Sequence, residues 1–221
     1  MSKEKSPGEY LGKYMVIAIV SLPILCLFKW IWPDCLPFNV FEPWYKWNIL
    51  GGILASWPIF LWVILVNLVS SPGKTDLVVG FAESAAAGLI EEPVFRWVIF
   101  YTEIILAKIF NWLLFGWLAE CLELPRLFYW YIVGPCANLA TLHFMEWLLY
   151  DQGWAVGAGT IAAVASFRNG HEYLGIFGTI NSWYIGLFLF YIMFSYGLPA
   201  AIVVHFAYDY LIHVAAAMRV K

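Results

Sequence analysis

The chain has 221 residues, of which 63% are hydrophobic and 12% charged, and its formal net charge is −3. A soluble domain carries roughly 25% charged residues, so this composition excludes an ordinary water-soluble fold and points to a polytopic membrane protein. The small acidic balance, with no basic stripe interleaved with aromatics, excludes a nucleic-acid partner.

The chain opens on a polar dozen residues that include Lys3, Lys5 and Lys13. Hydrophobic segments follow at 14–32, 49–69, 77–92, 94–118, 127–150, 154–167, 174–196 and 198–218. A bilayer core needs about 20 apolar residues per helix. Most segments reach that length, whereas 77–92 and 154–167 are short and read as half-buried or inward-tilted. The first stretch is followed by others, so it reads as a spanning helix and not as a cleaved signal peptide. Turn-forming groups punctuate the chain: Trp32-Pro33-Asp34, Ser70-Ser71-Pro72-Gly73, Leu124-Pro125-Arg126 and Arg168-Asn169-Gly170.

The predicted fold is therefore all-α. It is a polytopic transmembrane bundle of about eight helices, forming a single integral membrane domain over 1–221 with its site in the membrane core. Eight spans place both termini on one side. Lys3, Lys5, Lys13, Arg219 and Lys221 share that side with loops holding Lys74, Arg126 and Arg168, while the opposite loops offer mainly Lys46. The positive-inside rule makes that side cytoplasmic. The 13 Trp, 13 Tyr and 17 Phe suit aromatic belts at both interfaces. Cys26, Cys35, Cys121 and Cys136 form no C-x-x-C pair, and Cys26 and Cys136 read as apolar filler.

Three polar islands interrupt the apolar segments. The first is Glu91-Glu92-Pro93-Val94-Phe95-Arg96. Carboxylates at membrane depth are costly and mark functional sites by default. Glu92 and Arg96 are i and i+4, the favourable order for an ion pair. Glu91 lies about 100° around the helix from Glu92 and is left to other work. Pro93 has no N–H to give the Leu89 carbonyl, so the helix must kink or restart there. A purely structural ion pair accounts for Glu92 and Arg96 but not for Glu91.

The second island is His143, with Glu146 at i+3 as a partner or a helix-end marker. A lone histidine on an apolar helix is more often a satisfied core residue. The third is His205 with Asp209, at i and i+4 on the last segment, where two proton-handling groups or two ligands converge. Its plain alternative is a structural hydrogen-bonded pair. His213 continues that face and reads as a helix-end residue. Glu83 reads as a supporting group near Glu91. Glu103 and Lys108 read as interfacial or mutually compensating, and Asn67, Asn111 and Asn181 as interhelical hydrogen-bonders.

In this order the three islands resemble the CAAX protease and bacteriocin-processing family of intramembrane proteases, whose best-known members are the Ras-converting type of CAAX prenyl endopeptidase. The family pattern is E-E-x-x-x-R, then F-x-x-x-H, then H-x-x-x-N/D, each on a different membrane helix. Glu91 to Arg96 matches the first motif, and His205-Phe206-Ala207-Tyr208-Asp209 the third. His143 matches the second, although Leu139 stands where the family usually has Phe, and Trp97 replaces the glycine often found after the arginine. The resemblance covers 77–213 as a catalytic core and leaves 14–70 as variable N-terminal helices. It implies that Glu91 is the catalytic carboxylate, that His143, His205 and Asp209 complete the site, and that Glu92 and Arg96 form a supporting ion pair. It also implies a membrane protein or lipidated peptide as substrate, with the lipid bilayer as surroundings.

The residue types suit peptide hydrolysis by an activated water. Glu91 beside His143 would be the base. His205 and Asp209 would hold the oxyanion or protonate the leaving amine. No cofactor is expected, yet Glu91, His143, His205 and Asp209 are also zinc-ligand types, so zinc stays possible even though no H-E-x-x-H is present. No G-x-S-x-G and no motif cysteine supports a covalent nucleophile. Two other classes compete: a transporter or channel with a proton path, and a non-catalytic scaffold or immunity protein.

Overall fold

The computed structural model describes residues 7–32, 36, 39–69, 76–114, 116–118 and 123–219. Among them the chain is all-helical, with no strand. Lys3, Lys5, Lys74 and Lys221, on which the orientation argument leans, lie outside the described residues, as do Cys35 and Cys121 and the side chains of Lys13, Asn67 and Arg219.

The helices are α1 (Pro7–Ile31), α2 (Glu42–Tyr45), α3 (Ile49–Ala55), α4 (Trp57–Val69), α5 (Leu77–Glu92), α6 (Phe100–Leu113), α7 (Leu124–Phe128), α8 (Gly134–Ala140), α9 (Trp154–Gly170), α10 (Gly175–Tyr196) and α11 (Leu198–Arg219). Three π-helical stretches join them, Pro93–Ile99, Tyr129–Val133 and Trp147–Asp151. Among the described residues, two helices are long and apolar enough to cross a membrane, Gly175–Tyr196 and Leu198–Met218. Many large apolar side chains are exposed, among them Trp30, Val78, Tyr131, Leu142 and Ile176. That much apolar exposure suits a lipid-facing surface better than a watery one.

The segment 77–92 is one helix with those bounds, and the last two segments match α10 and α11 within a residue. Three other segments are broken. Segment 49–69 splits at Ser56, because Pro58 has no N–H for the Leu54 carbonyl. Ser56 is fully buried there, its hydroxyl donating to the Gly52 carbonyl (2.6 Å). Segment 94–118 begins in π winding that starts at Pro93, whose missing N–H breaks the α-helical ladder while the backbone stays helical. Segment 127–150, expected as one helix, is instead α7, a π turn, α8, a tight turn and a second π turn. Cys26 and Cys136 are exposed, so neither is core filler.

The chain forms two compact units, each assembled from two separated stretches. The first comprises 1–40 and 94–187. Its core is Phe95, Phe100, Tyr101, Ile104, Met145, Leu148, Leu149, Val164 and Phe167, all essentially inaccessible. α6 lies close along α9 because Gly159 leaves room for Ile104 and the Phe100 carbonyl. The Tyr129 hydroxyl donates to the Leu149 carbonyl (2.6 Å), and the Trp97 indole donates to the Val40 carbonyl (2.6 Å).

The second unit comprises 41–93 and 188–221. Leu189, Phe190, Ile192, Met193, Leu198, Ala200, Ala201 and Val204 are its innermost residues. α11 packs against α3, α4 and α5. The turn from α10 into α11 is a single residue, Gly197, at φ +104°. A Cβ at Gly197 would fall 1.9 Å from the Lys46 carbonyl oxygen. That close approach is reinforced by Asn48 N–H donating to the Tyr196 carbonyl (3.2 Å) and Lys46 Nζ donating to the Phe194 carbonyl (3.2 Å). Gly197→Ala should therefore cost about 2 kcal/mol or more, since both strain and overlap oppose it. A thermal melt of the purified variant measures this, and a wild-type melting temperature would contradict the turn as described.

Candidate active site

α5 buries Gly80, Ser84, Gly88 and Glu92, every fourth residue, on one stripe. The small residues bring α11 unusually near, as small-residue interfaces do between membrane helices. A Cβ at Gly88 would lie 2.8 Å from the Ile202 carbonyl oxygen, and one at Gly80 would lie 2.7 Å from the His213 ring. The Ser84 hydroxyl donates to the Gly80 carbonyl (2.7 Å), so it leaves no polar demand at the interface. These contacts run antiparallel, Gly80 against His213 and Gly88 against Phe206, and the next step along the stripe sets Glu92 against His205.

Glu92 is fully buried and His205 is 3% exposed. His205 Nδ1 donates to Glu92 Oε1 at 2.7 Å. On the opposite ring edge, Nε2 lies 3.3 Å from Asp209 Oδ2, and Asp209 is partly exposed. The result is a carboxylate–imidazole–carboxylate chain that starts in the dry interface and ends near its edge. Phe81 sets its edge against Phe206 and Tyr210 (5.1 and 5.6 Å between centroids), which covers one flank with aromatic surface. In such a water-poor setting each charged hydrogen bond is stronger than it would be in water. With a single ring proton, on Nδ1, Nε2 is an acceptor. With two, both edges donate, and each meets a carboxylate.

Glu91 is half-buried, on the next position of α5. The carboxylate that meets His205 is thus Glu92, which the motif reading had assigned to Arg96. Arg96 belongs to the first unit, so the expected Glu92–Arg96 ion pair remains an expectation. Within its own unit Arg96 is fully buried, with its guanidinium 4.2 Å from the Phe167 ring centroid. That is close enough for a cation–π contact. Glu83, expected near Glu91, instead has Oε2 3.9 Å from His213 Nε2, so His213 packs on α5 and is not merely a helix-end residue.

His143 is not on a helix. α8 ends with Leu142 N–H bonded to the Leu139 carbonyl (3.0 Å) and His143 N–H to the Asn138 carbonyl (2.9 Å). This pair of bonds is a Schellman end, and its left-handed position is normally glycine. Here Leu142 (φ +50°) and His143 (φ +64°) adopt it instead. Left-handed backbone costs an L-residue roughly 1–2 kcal/mol, so the surroundings must enforce this turn. The side chain of His143 is 64% exposed. Asn138 Nδ2 donates to its Nδ1 (2.9 Å), and Glu146 Oε2 lies 3.4 Å away, the partner that the i+3 spacing suggests. His143 belongs to the first unit, whereas Glu91, Glu92, His205 and Asp209 belong to the second.

Among the described residues no group of three or more His, Cys, Asp or Glu side chains is arranged to hold a metal ion. Glu92 and Asp209 engage opposite nitrogens of His205, so one cation cannot meet the ring and both carboxylates together. These three residues do not fit a zinc site. Sequence reading missed the Gly80, Ser84, Gly88 stripe, whose signal was small residues at four-residue spacing in a short segment. No family model matches the chain, and neither curated proteins nor solved structures provide a significant match.

Proposed function

We propose that the chain is a membrane-embedded endopeptidase of the kind its resemblance to the CAAX protease and bacteriocin-processing family implies. It is a polytopic bundle of about eight spans with both termini in the cytoplasm, and it hydrolyses a peptide bond of a membrane protein or lipidated peptide. The observation that carries this reading is the buried Glu92–His205–Asp209 chain. An ionisable triplet inside an apolar helix pair is costly, and function is the usual reason such a group is kept.

Hydrolysis needs a base for water and a donor for the oxyanion and the leaving amine. Glu92 accepts the Nδ1 proton and so fixes the His205 ring with Nε2 toward Asp209, as the orienting carboxylate does in a catalytic triad. The Nε2–Asp209 edge is the accessible end of the chain and the place for substrate. Glu91, on the adjacent flank of α5, takes the proton of the attacking water. His205, carrying a proton on each ring nitrogen between its two carboxylates, gives the Nε2 proton to the departing nitrogen as the C–N bond breaks. The new carboxyl group loses its proton to water and the proton held by Glu91 returns to Nε2, leaving a new carboxylate and a new amine. The family resemblance assigns His143 a catalytic role as well.

A second reading draws on the same observation, since a carboxylate–imidazole–carboxylate chain also passes protons. One assay separates the two. Purified protein in lipid vesicles is incubated with total membrane proteins, and new peptide termini are mapped for wild type, Glu91→Ala and His143→Ala. Wild type alone should generate termini, with both variants losing about 10² or more in rate. Equal termini from wild type and Glu91→Ala, together with Glu91-dependent proton flux into empty vesicles, would replace the protease by a proton pathway.

A further inference from the structure

The first unit holds a second polar centre that the protease reading does not use. Ser21 on α1, Thr102 and Glu103 on α6, and Ser166 and Asn169 on α9 line one partly open cavity of about 230 Å³, together with Ile17 and Ile99. Five polar residues from three helices, four of them within apolar segments, converge on a space large enough for several water molecules.

The chemistry of the lining is specific. Glu103 brings one negative charge, and among the described residues no cationic group lies within ion-pair distance of it. Arg168 holds Asn169 through Nε and Nη2 (3.1 and 2.6 Å to Oδ1) but does not itself line the cavity. Thr102 already donates its hydroxyl proton to the Val98 carbonyl (2.8 Å), so it turns only lone pairs to the space. Ser21 is 8% exposed, lines the cavity, and makes no hydrogen bond to the described residues. A hydroxyl so deeply buried is normally satisfied. Its natural partner is whatever occupies the cavity.

We propose that this cavity binds a monovalent cation, with Glu103 as its counter-charge and the Ser21 and Thr102 hydroxyl oxygens as neutral ligands. Hard oxygen donors with no histidine or cysteine exclude the softer transition metals. A single carboxylate balances one positive charge and falls short of the several that calcium sites usually carry. The shared chemistry is a singly charged, oxygen-seeking cation, whether an alkali ion or a primary ammonium group. This proposal does not depend on proteolysis.

The test is thermal stability of the full-length protein in detergent at constant ionic strength. Choline chloride is replaced stepwise by sodium, potassium or methylammonium chloride. Wild type should show saturable stabilisation by at least one of the three over choline. Glu103→Gln should raise the half-saturating concentration tenfold or more, and Ser21→Ala should raise it several-fold. A response to methylammonium alone identifies an amine ligand, and a response to sodium or potassium alone identifies an alkali ion. If Glu103→Gln does not fold, Ser21→Ala, which removes one hydroxyl, still decides the matter. Equal responses of wild type and the folded variants to every salt, choline included, would overturn the site.

Discussion

His205→Gln lowers the rate of peptide cleavage by about 10² or more while the melting temperature stays close to that of wild type. The glutamine amide can still donate to Glu92, so the buried carboxylate keeps a hydrogen bond and the α5–α11 interface keeps its volume. What disappears is a group that can both hold and release a proton at the position of Nε2, 3.3 Å from Asp209 Oδ2. His205→Ala is the less informative change, because it also strips the buried Glu92 of its 2.7 Å contact and opens a cavity. Cleavage by a well-folded His205→Gln protein at near-normal rate would remove His205 from the reaction, and with it the reading of this chain as the hydrolytic centre.

The elements that were legible in the sequence are those whose ends carry a chemical mark. α5 begins at Asp76, whose side chain accepts from Val78 N–H (2.8 Å), and gives way to π winding at Pro93. α10 and α11 are separated by Gly197, the residue type their turn requires. The breaks that escaped notice lack such marks or carry them faintly. α8 ends in a left-handed turn made by Leu142 and His143, where no glycine announces it. π winding has no residue signature of its own, and only Pro93 hinted at one of the three stretches. The two interleaved units are set by which distant stretches pack together, and a linear reading carries no trace of that.

The pairing of Glu92 with His205 was not legible in the motifs. Glu91 and Glu92 stand at nearly the same depth on α5, and motif matching, which sets Glu91 beside His143 and Glu92 with Arg96, does not say which carboxylate faces α11. The stripe of Gly80, Ser84 and Gly88 decides that. Four residues beyond Gly88 is Glu92, so the face that approaches α11 carries Glu92 and turns Glu91 aside. That inference uses only spacing, but it gains meaning once α11 is known to be the partner. His143 was read as helical because an apolar run of 24 residues looks continuous, and its exposure follows from the turn that interrupts it.

Glu92 and Glu91 should therefore separate cleanly by stability. Glu92→Ala removes one member of a fully buried, hydrogen-bonded pair and strands the His205 ring, which costs about 3–5 kcal/mol. Glu91→Ala touches a half-buried side chain and should cost about 1 kcal/mol, while abolishing cleavage in the proposed mechanism. Glu92→Gln belongs between them. Its amide keeps the shape but can donate to Nδ1, and it carries no negative charge to hold the doubly protonated ring from which His205 gives its Nε2 proton. It should lose activity far more than stability. Denaturation of the purified variants measures the first quantity and peptide cleavage the second. A double-mutant cycle then isolates the pair: His205→Ala should cost about 0.5–3 kcal/mol less in the Glu92→Ala background than alone, because the carboxylate it would strand is already gone. Strict additivity, or a Glu91→Ala protein that melts like Glu92→Ala, would mean that the buried carboxylate facing α11 had been misassigned.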